Sequence, residues 1–182
     1  RFDVPVSLDT YKSAVAEAGI AVGADLINDI WGLKYDPKMA DVIAKADVAC
    51  CLMHNRDNSD YGDFLSEWYQ ETAECVELAK KAGIADDKII LDPGVGFGKT
   101  YEQNLTTIKY MDDLKKLGYP LLLGTSRKSV IGLTLDTPVT DRAVGTAVTT
   151  VFAVQQGYAF VRVHDIKVNK QAIQMTKAIL NA

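Results

Sequence analysis

Ile89-Ile90-Leu91-Asp92-Pro93-Gly94-Val95-Gly96-Phe97-Gly98-Lys99-Thr100 decides the fold. The stretch opens on an unbroken apolar run, passes through one acid and ends in a glycine-rich turn. Continuous apolarity, as opposed to alternation, marks a strand buried on both faces, as in parallel sheets covered by helices. Downstream, Leu105, Ile108, Met111, Leu114 and Leu117 recur at helical spacing until Gly118-Tyr119-Pro120 stops them. Strand, polar turn and helix therefore follow one another.

The same unit recurs along the chain. Strand-like runs lie at Val4-Pro5-Val6-Ser7-Leu8, Asp25-Leu26-Ile27, Val48-Ala49-Cys50-Cys51-Leu52, Leu121-Leu122-Leu123 and Ala159-Phe160-Val161. Helical patterns fill the spaces between them. They run from Tyr11 to Ala18 with Gly19 as the expected stop, Asp36-Pro37 to Ala46, Phe64 to Ala82 ahead of Gly83, Ala143 to Val154, and Val168 to Leu180. Such alternation means α/β with a parallel sheet. A doubly wound sheet would carry Gly-x-Gly-x-x-Gly after its first strand, but Asp9-Thr10-Tyr11 follows Leu8. The TIM (β/α)₈ barrel is favoured, with about six of its eight units present, since a full barrel takes ~250 residues and the chain has 182. The first strand starts almost at Arg1, so the two further units are expected before it.

Composition excludes several classes. There are 20 Lys+Arg against 24 Asp+Glu, a formal net charge of −4. That is no general nucleic-acid binder, and an anionic ligand must be met by a few placed cations. No run reaches the ~18 apolar residues of a transmembrane helix. No signal peptide is expected, since the sequence runs from Arg1-Phe2-Asp3 straight into a strand-like segment. Cys50, Cys51 and Cys75 read as reduced, buried structural thiols, which sets the cytoplasm as the expected compartment. Asn104-Leu105-Thr106 matches a glycosylation sequon that has no role without secretion.

Polar residues gather at the C-terminal ends of the strands, the rim where such barrels bind ligands. The ends read Ser7-Leu8-Asp9, Ile27-Asn28-Asp29, Leu52-Met53-His54, Leu91-Asp92, Gly124-Thr125-Ser126-Arg127-Lys128 and Arg162-Val163-His164-Asp165. Asp9, Asp29 and Asp165 could equally be helix N-caps, and His54 reads as a mobile-loop residue. Gly98-Lys99-Thr100 resembles the end of a phosphate-binding loop, but Pro93 stands where that motif needs glycine, so a nucleotide triphosphatase is not indicated. The alternating glycines instead allow the backbone to approach a flat ligand. Asp92 could clasp a planar heterocycle through two adjacent N–H groups. Arg127, Lys128, Arg162 and His164 supply cationic capacity where the last barrel strands hold phosphate.

These six motifs, together with the Asp92–Thr100 stretch and in this order, resemble the dihydropteroate synthase family of folate biosynthesis. The resemblance spans the chain and implies one pterin-binding barrel domain over residues 1–182, incomplete at its N-terminus. It implies a transferase that condenses dihydropterin-methyl diphosphate with 4-aminobenzoate, releasing diphosphate. By the resemblance, Asp9, Asn28 and Asp92 bind the pterin, Met53 lines its pocket, and Lys128 reaches its carbonyl and ring nitrogen. Arg162 covers the pterin face and, with His164, holds the diphosphate; Lys128, Arg162 and His164 are the implied catalytic residues. Ser126, Arg127 and Phe97 fall on the aminobenzoate side. A cytoplasmic homodimer and Mg²⁺ are further implications. The family's Asn-x-Thr-Pro-Asp-Ser-Phe segment, which carries its metal ligand, is absent here, so no residue of this chain is assigned to metal. Without two barrel units, the chain alone is expected to be inactive or poorly folded. Two alternatives stay open: a pterin-binding methyltransferase of the same fold, and a non-catalytic pterin-binding fragment.

Overall fold

Each apolar run becomes a parallel strand in the computed structural model, which describes residues 3–182. β1 (Ser7–Asp9), β2 (Leu26–Asp29), β3 (Ala49–Met53) and β4 (Ile89–Asp92) pair in that order. Their register sets Asp9 opposite Asn28 and Met53 opposite Asp92. A parallel bridge between Leu91 and Leu121 carries the order onward to β5 (Leu122–Leu123), which pairs with β6 (Phe160–Val161). Every strand thus lies beside its predecessor. That is the winding of a TIM barrel, whereas a doubly wound sheet reverses direction partway. The strands form an arc of the (β/α)₈ barrel, and among the described residues the outer edges of β1 and β6 have no strand partner.

The helices are α1 (Ser13–Ala21), α2 (Met39–Ala46), α3 (Phe64–Lys81), α4 (Tyr101–Tyr110), α5 (Ser129–Leu135), α6 (Ala143–Gln155) and α7 (Ile166–Leu180). α3 begins where the Asp63 carboxylate accepts the Ser66 N–H. It buries Trp68, Cys75, Val76 and Ala79 with Ile27, Leu52, Ile89 and Leu91 of the strands. Full burial of a side chain of this kind contributes ~1.5–3 kcal/mol. A second cluster, with Val95, Ile108, Met111, Leu123, Val130 and Ile131, fills the space under β5. Tyr158 packs on both.

Three elements differ from the sequence reading. α1 does not stop at Gly19 but runs on to Ala21, with Gly23 taking the positive φ of 101° just beyond it. Gly19 is needed for packing: a Cβ there would stand 2.2 Å from the Leu8 side chain, so only glycine lets α1 lie this close to β1. The Leu105-to-Leu117 pattern is two pieces, α4 and then a tighter 3₁₀ run over Met111–Leu117. α5, invisible beside the cationic motif that precedes it, packs against α4 and α6.

Candidate active site

The strand ends do converge. On the first two, the Asn28 amide donates to Asp9 Oδ1 at 3.0 Å. Asn28 is buried, and its Oδ1 has no hydrogen-bond partner. On β4, Asp92 is fully buried; its Oδ1 accepts the Gly94 N–H at 2.8 Å while Oδ2 has no partner. A buried acceptor left unmade costs ~1–3 kcal/mol, more for a charge. Two of them, at strand ends separated only by β3, are hard to account for except by a donor-bearing ligand. Met53, fully buried, lies in register with Asp92.

Cations face this carboxylate. Arg162 Nη2 stands 3.9 Å from Asp92 Oδ2. Lys128 Nζ lies 4.6 Å from the centroid of the Phe97 ring and donates to the Val95 carbonyl. Burial pulls the Lys128 pKa down to about 8, against the opposing pull of the Asp92 charge. Ser126 and His164 meet each other: the His164 backbone N–H donates to Ser126 Oγ at 3.1 Å, and that oxygen lies 2.9 Å from His164 Nδ1. The hydroxyl and the ring thus hold each other in one orientation at the end of β6. Arg127 stands apart from the Asp92 group, its guanidinium forked onto Asp165 at 2.7 and 3.0 Å.

The capping reading of the strand-end acids fails. α1 has no side-chain cap, and the Asp29 carboxylate accepts the Trp31 and Leu33 N–H groups of a turn. Asp165 sits at the α7 N-cap, but its carboxylate serves Arg127. His54 is a correction too. It is fully buried, not a mobile-loop residue, with Nε2 2.9 Å from Glu71 Oε2 and Nδ1 2.8 Å from Lys99 Nζ.

Residues that sequence reasoning passed over support the glycine loop. Asn104, the sequon residue, is buried; its Oδ1 accepts the Gly96 N–H and its amide donates to the Lys99 and Thr100 carbonyls. The Trp68 indole donates to the Pro93 carbonyl, and Tyr61 donates to that of Gly98. Arg142 holds the Arg127 and Lys128 carbonyls from the start of α6. The contacts of Trp68, Tyr61 and Arg142 close between segments 14 to 37 residues apart and leave no mark in local spacing. Asn104 binds a loop only 4 to 8 residues away, but in the sequence it reads as part of a sequon. No group of three or more His, Cys, Asp or Glu side chains among the described residues is placed to hold a metal. The three cysteines are free and buried, and burial pushes the Cys50 and Cys75 thiols up to about 12.

The family model for "Pterin binding enzyme" matches residues 1–164. A dihydropteroate synthase of Clostridium beijerinckii is 55% identical over 180 residues, covering 98% of this chain and 67% of the relative. That of Bacillus subtilis is 47% identical over 178 residues, covering 98% and 62%. The chain therefore spans about two thirds of the length of these relatives. Among solved structures, a dihydropteroate synthase from Clostridium difficile, crystallised in the presence of pteroic acid, superposes with a TM-score of 0.95 at 46% identity, covering 98% of this chain and 68% of that one. A Yersinia pestis dihydropteroate synthase in complex with a sulfonamide drug gives 0.94 at 36% identity, covering 100% and 68%. No helix of the described residues is long and apolar enough to cross a membrane.

Proposed function

This chain belongs to the pterin-binding enzymes, and we infer that it is the greater part of a dihydropteroate synthase, with residues 1–182 acting as one pterin-binding domain. The observation that carries this reading is the pair of buried, unpartnered acceptors, Asp92 Oδ2 and Asn28 Oδ1, beside Arg162 and Lys128. A pterin offers adjacent N–H donors on one edge of a flat ring, which suits a carboxylate and an amide oxygen.

The reaction asks little covalent chemistry of the protein. The bond between the pterin methylene and the diphosphate oxygen breaks, leaving a cation delocalised over the dihydropterin ring. The 4-aminobenzoate nitrogen then forms the new C–N bond and releases a proton. Asp92 and Asn28 fix the ring, Met53 lines its pocket, and Asp9 holds Asn28 in place. Arg162 and His164 would meet the departing anion, and Lys128 adds a cation near the ring carbonyl. Ser126 sets the His164 ring, while Phe97 and Arg127 lie toward the aminobenzoate side. Such catalysis is positioning plus electrostatics. Mg²⁺, implied by the family resemblance, would act as a Lewis acid on the leaving group. No step here depends on it.

The decisive experiment supplies dihydropterin-methyl diphosphate with and without 4-aminobenzoate. Diphosphate release that depends on 4-aminobenzoate supports the reading. Demethylation of a methylfolate instead would establish the methyltransferase, and pterin binding with neither reaction would establish the non-catalytic fragment.

We infer further that the chain pairs as a homodimer, with the cytoplasm as its proposed compartment. Leu135, Val144, Val148 and Phe152 are exposed around an apolar groove of about 560 Å³ between α4, α5 and α6. An exposed apolar groove of this kind marks an interaction face. Sedimentation should show a dimer that Val148→Asp dissociates.

A further inference from the structure

We infer that Lys99 is a positioning residue of this site: with His54 and Glu71 it forms a buried latch that fixes the glycine loop, and through Phe97 the aminobenzoate side of the pocket. The inference rests on the pterin-site reading above and extends it to residues that touch no substrate.

An ammonium has three N–H donors and no acceptor. Lys99 Nζ meets three acceptors, His54 Nδ1 at 2.8 Å and the Gly94 and Phe97 carbonyls at 3.0 Å each. Its donor capacity is used up inside the protein. The two carbonyls bracket the Gly94-to-Phe97 turn, which the Phe97 N–H closes onto Gly94 at 3.2 Å. Lys99 therefore pins both ends of the turn that presents Phe97. This is the opposite of a phosphate-binding lysine, whose ammonium projects toward an anion; here Gly98-Lys99-Thr100 turns its cation onto its own loop.

The rest of the latch follows from donor bookkeeping. Because Lys99 can only donate, His54 Nδ1 accepts, so the proton of the neutral ring is on Nε2 and goes to Glu71 Oε2 at 2.9 Å. A neutral imidazole thus links a buried cation to a carboxylate on α3. Glu71 is tied in turn to Arg56, which also pairs with Glu67 and lies 4.2 Å from the Tyr61 ring centroid. There is no slack in the contact: a Cβ on Gly94 would stand 1.8 Å from the His54 carbonyl. Phe97, at the end of the chain of contacts, is the ring on which the Lys128 ammonium rests.

The test uses two ligands with the 182-residue chain: pterin alone, which reads the Asp92 end, and pteroic acid, which also reads the Phe97 side. Lys99→Met keeps length and removes all three donors. Pterin affinity should stay within threefold of wild type while pteroic acid weakens at least tenfold. The chain has only two histidines, so ¹⁵N spectra assign His54 once His164 is replaced. His54 should sit in the Nε2–H tautomer in wild type and lose it in Lys99→Met. Should that variant not fold, Glu71→Leu, which removes the acceptor of the Nε2 proton, carries the same test with a loss of at least tenfold confined to pteroic acid. Equal effects on the two ligands, or none, would overturn the inference. A wild-type chain that melts cooperatively, and so is folded, yet binds neither ligand would overturn the pocket reading, and the latch with it.

Discussion

Arg162 Nη2 stops 3.9 Å short of Asp92 Oδ2, with Gly124 beside the gap. The two are near enough to feel each other's charge and too far apart to hydrogen-bond. The carboxylate oxygen consequently keeps its acceptor capacity while a cation two strands away offsets its burial. A direct fork, as Arg127 makes with Asp165, would have consumed both partners.

Gly124→Ala tests that gap. A Cβ would stand 2.9 Å from Arg162 Nη2 and 3.3 Å from Asp92 Oδ2. The neighbour that must give is the far end of a flexible side chain, so stability should shift by no more than ~0.5 kcal/mol. Displacing the guanidinium should nevertheless weaken diphosphate-bearing ligands more than pterin itself. Thermal melts and calorimetry with both ligands check this; equal affinities for variant and wild type would count against Arg162 as the anion's partner.

Asp92→Asn should cost pterin binding ~1.5–3 kcal/mol, the worth of a hydrogen bond to a charged group, or roughly 10- to 150-fold in affinity. The fold should survive, because an amide oxygen can still accept the Gly94 N–H. Calorimetry decides; unchanged affinity would remove Asp92 from the pterin site.

Much of this site is legible in the sequence because a strand end is a local feature. Asp92 follows an unbroken apolar run and precedes a glycine turn, and Asn28 and Asp9 close their own runs. What stays hidden is whatever depends on segments meeting across the fold. His54 sits in a polar stretch that looks like a solvated loop; its burial depends on Glu71, 17 residues on, and Lys99, 45 residues on. Gly19 looks like a helix stop because its packing against Leu8 is tertiary. α5 has seven residues, too few for a helical period to emerge beside Ser126-Arg127-Lys128.

Acid should unfold the protein partly through His54. Burial, with the charges of Lys99, Lys34 and Arg56, holds its pKa down to about 2 from an ordinary 6.5. Below pH 6.5 the unfolded chain therefore binds a proton that the folded ring refuses. Folding stability rises with pH across this window and falls on acidification, by ~1.4 kcal/mol per pH unit for one such group. Between pH 6.5 and 5 that amounts to about 2 kcal/mol. Urea midpoints should fall more steeply over this range in wild type than in His54→Asn; parallel slopes would show that the ring titrates normally.

Two glycines with left-handed backbones should answer differently to alanine. Gly83 ends α3 at φ 87°, and a Cβ there would have nothing within 4 Å. Gly83→Ala should therefore cost only the left-handed penalty of ~1–2 kcal/mol. Gly94 sits at φ 71°, and a Cβ there would meet the His54 carbonyl oxygen at 1.8 Å. That obstacle is backbone of β3's continuation, itself tied by the His54 N–H to the Asp92 carbonyl at 3.0 Å, so it cannot rotate aside. Gly94→Ala must separate the two strand ends that hold His54 and Asp92. It should lose both several kcal/mol of stability and its pterin affinity, whereas Gly83→Ala keeps its affinity intact. Chemical denaturation and pterin calorimetry on the pair make the comparison, and equal destabilisation by both substitutions would contradict the close approach at Gly94.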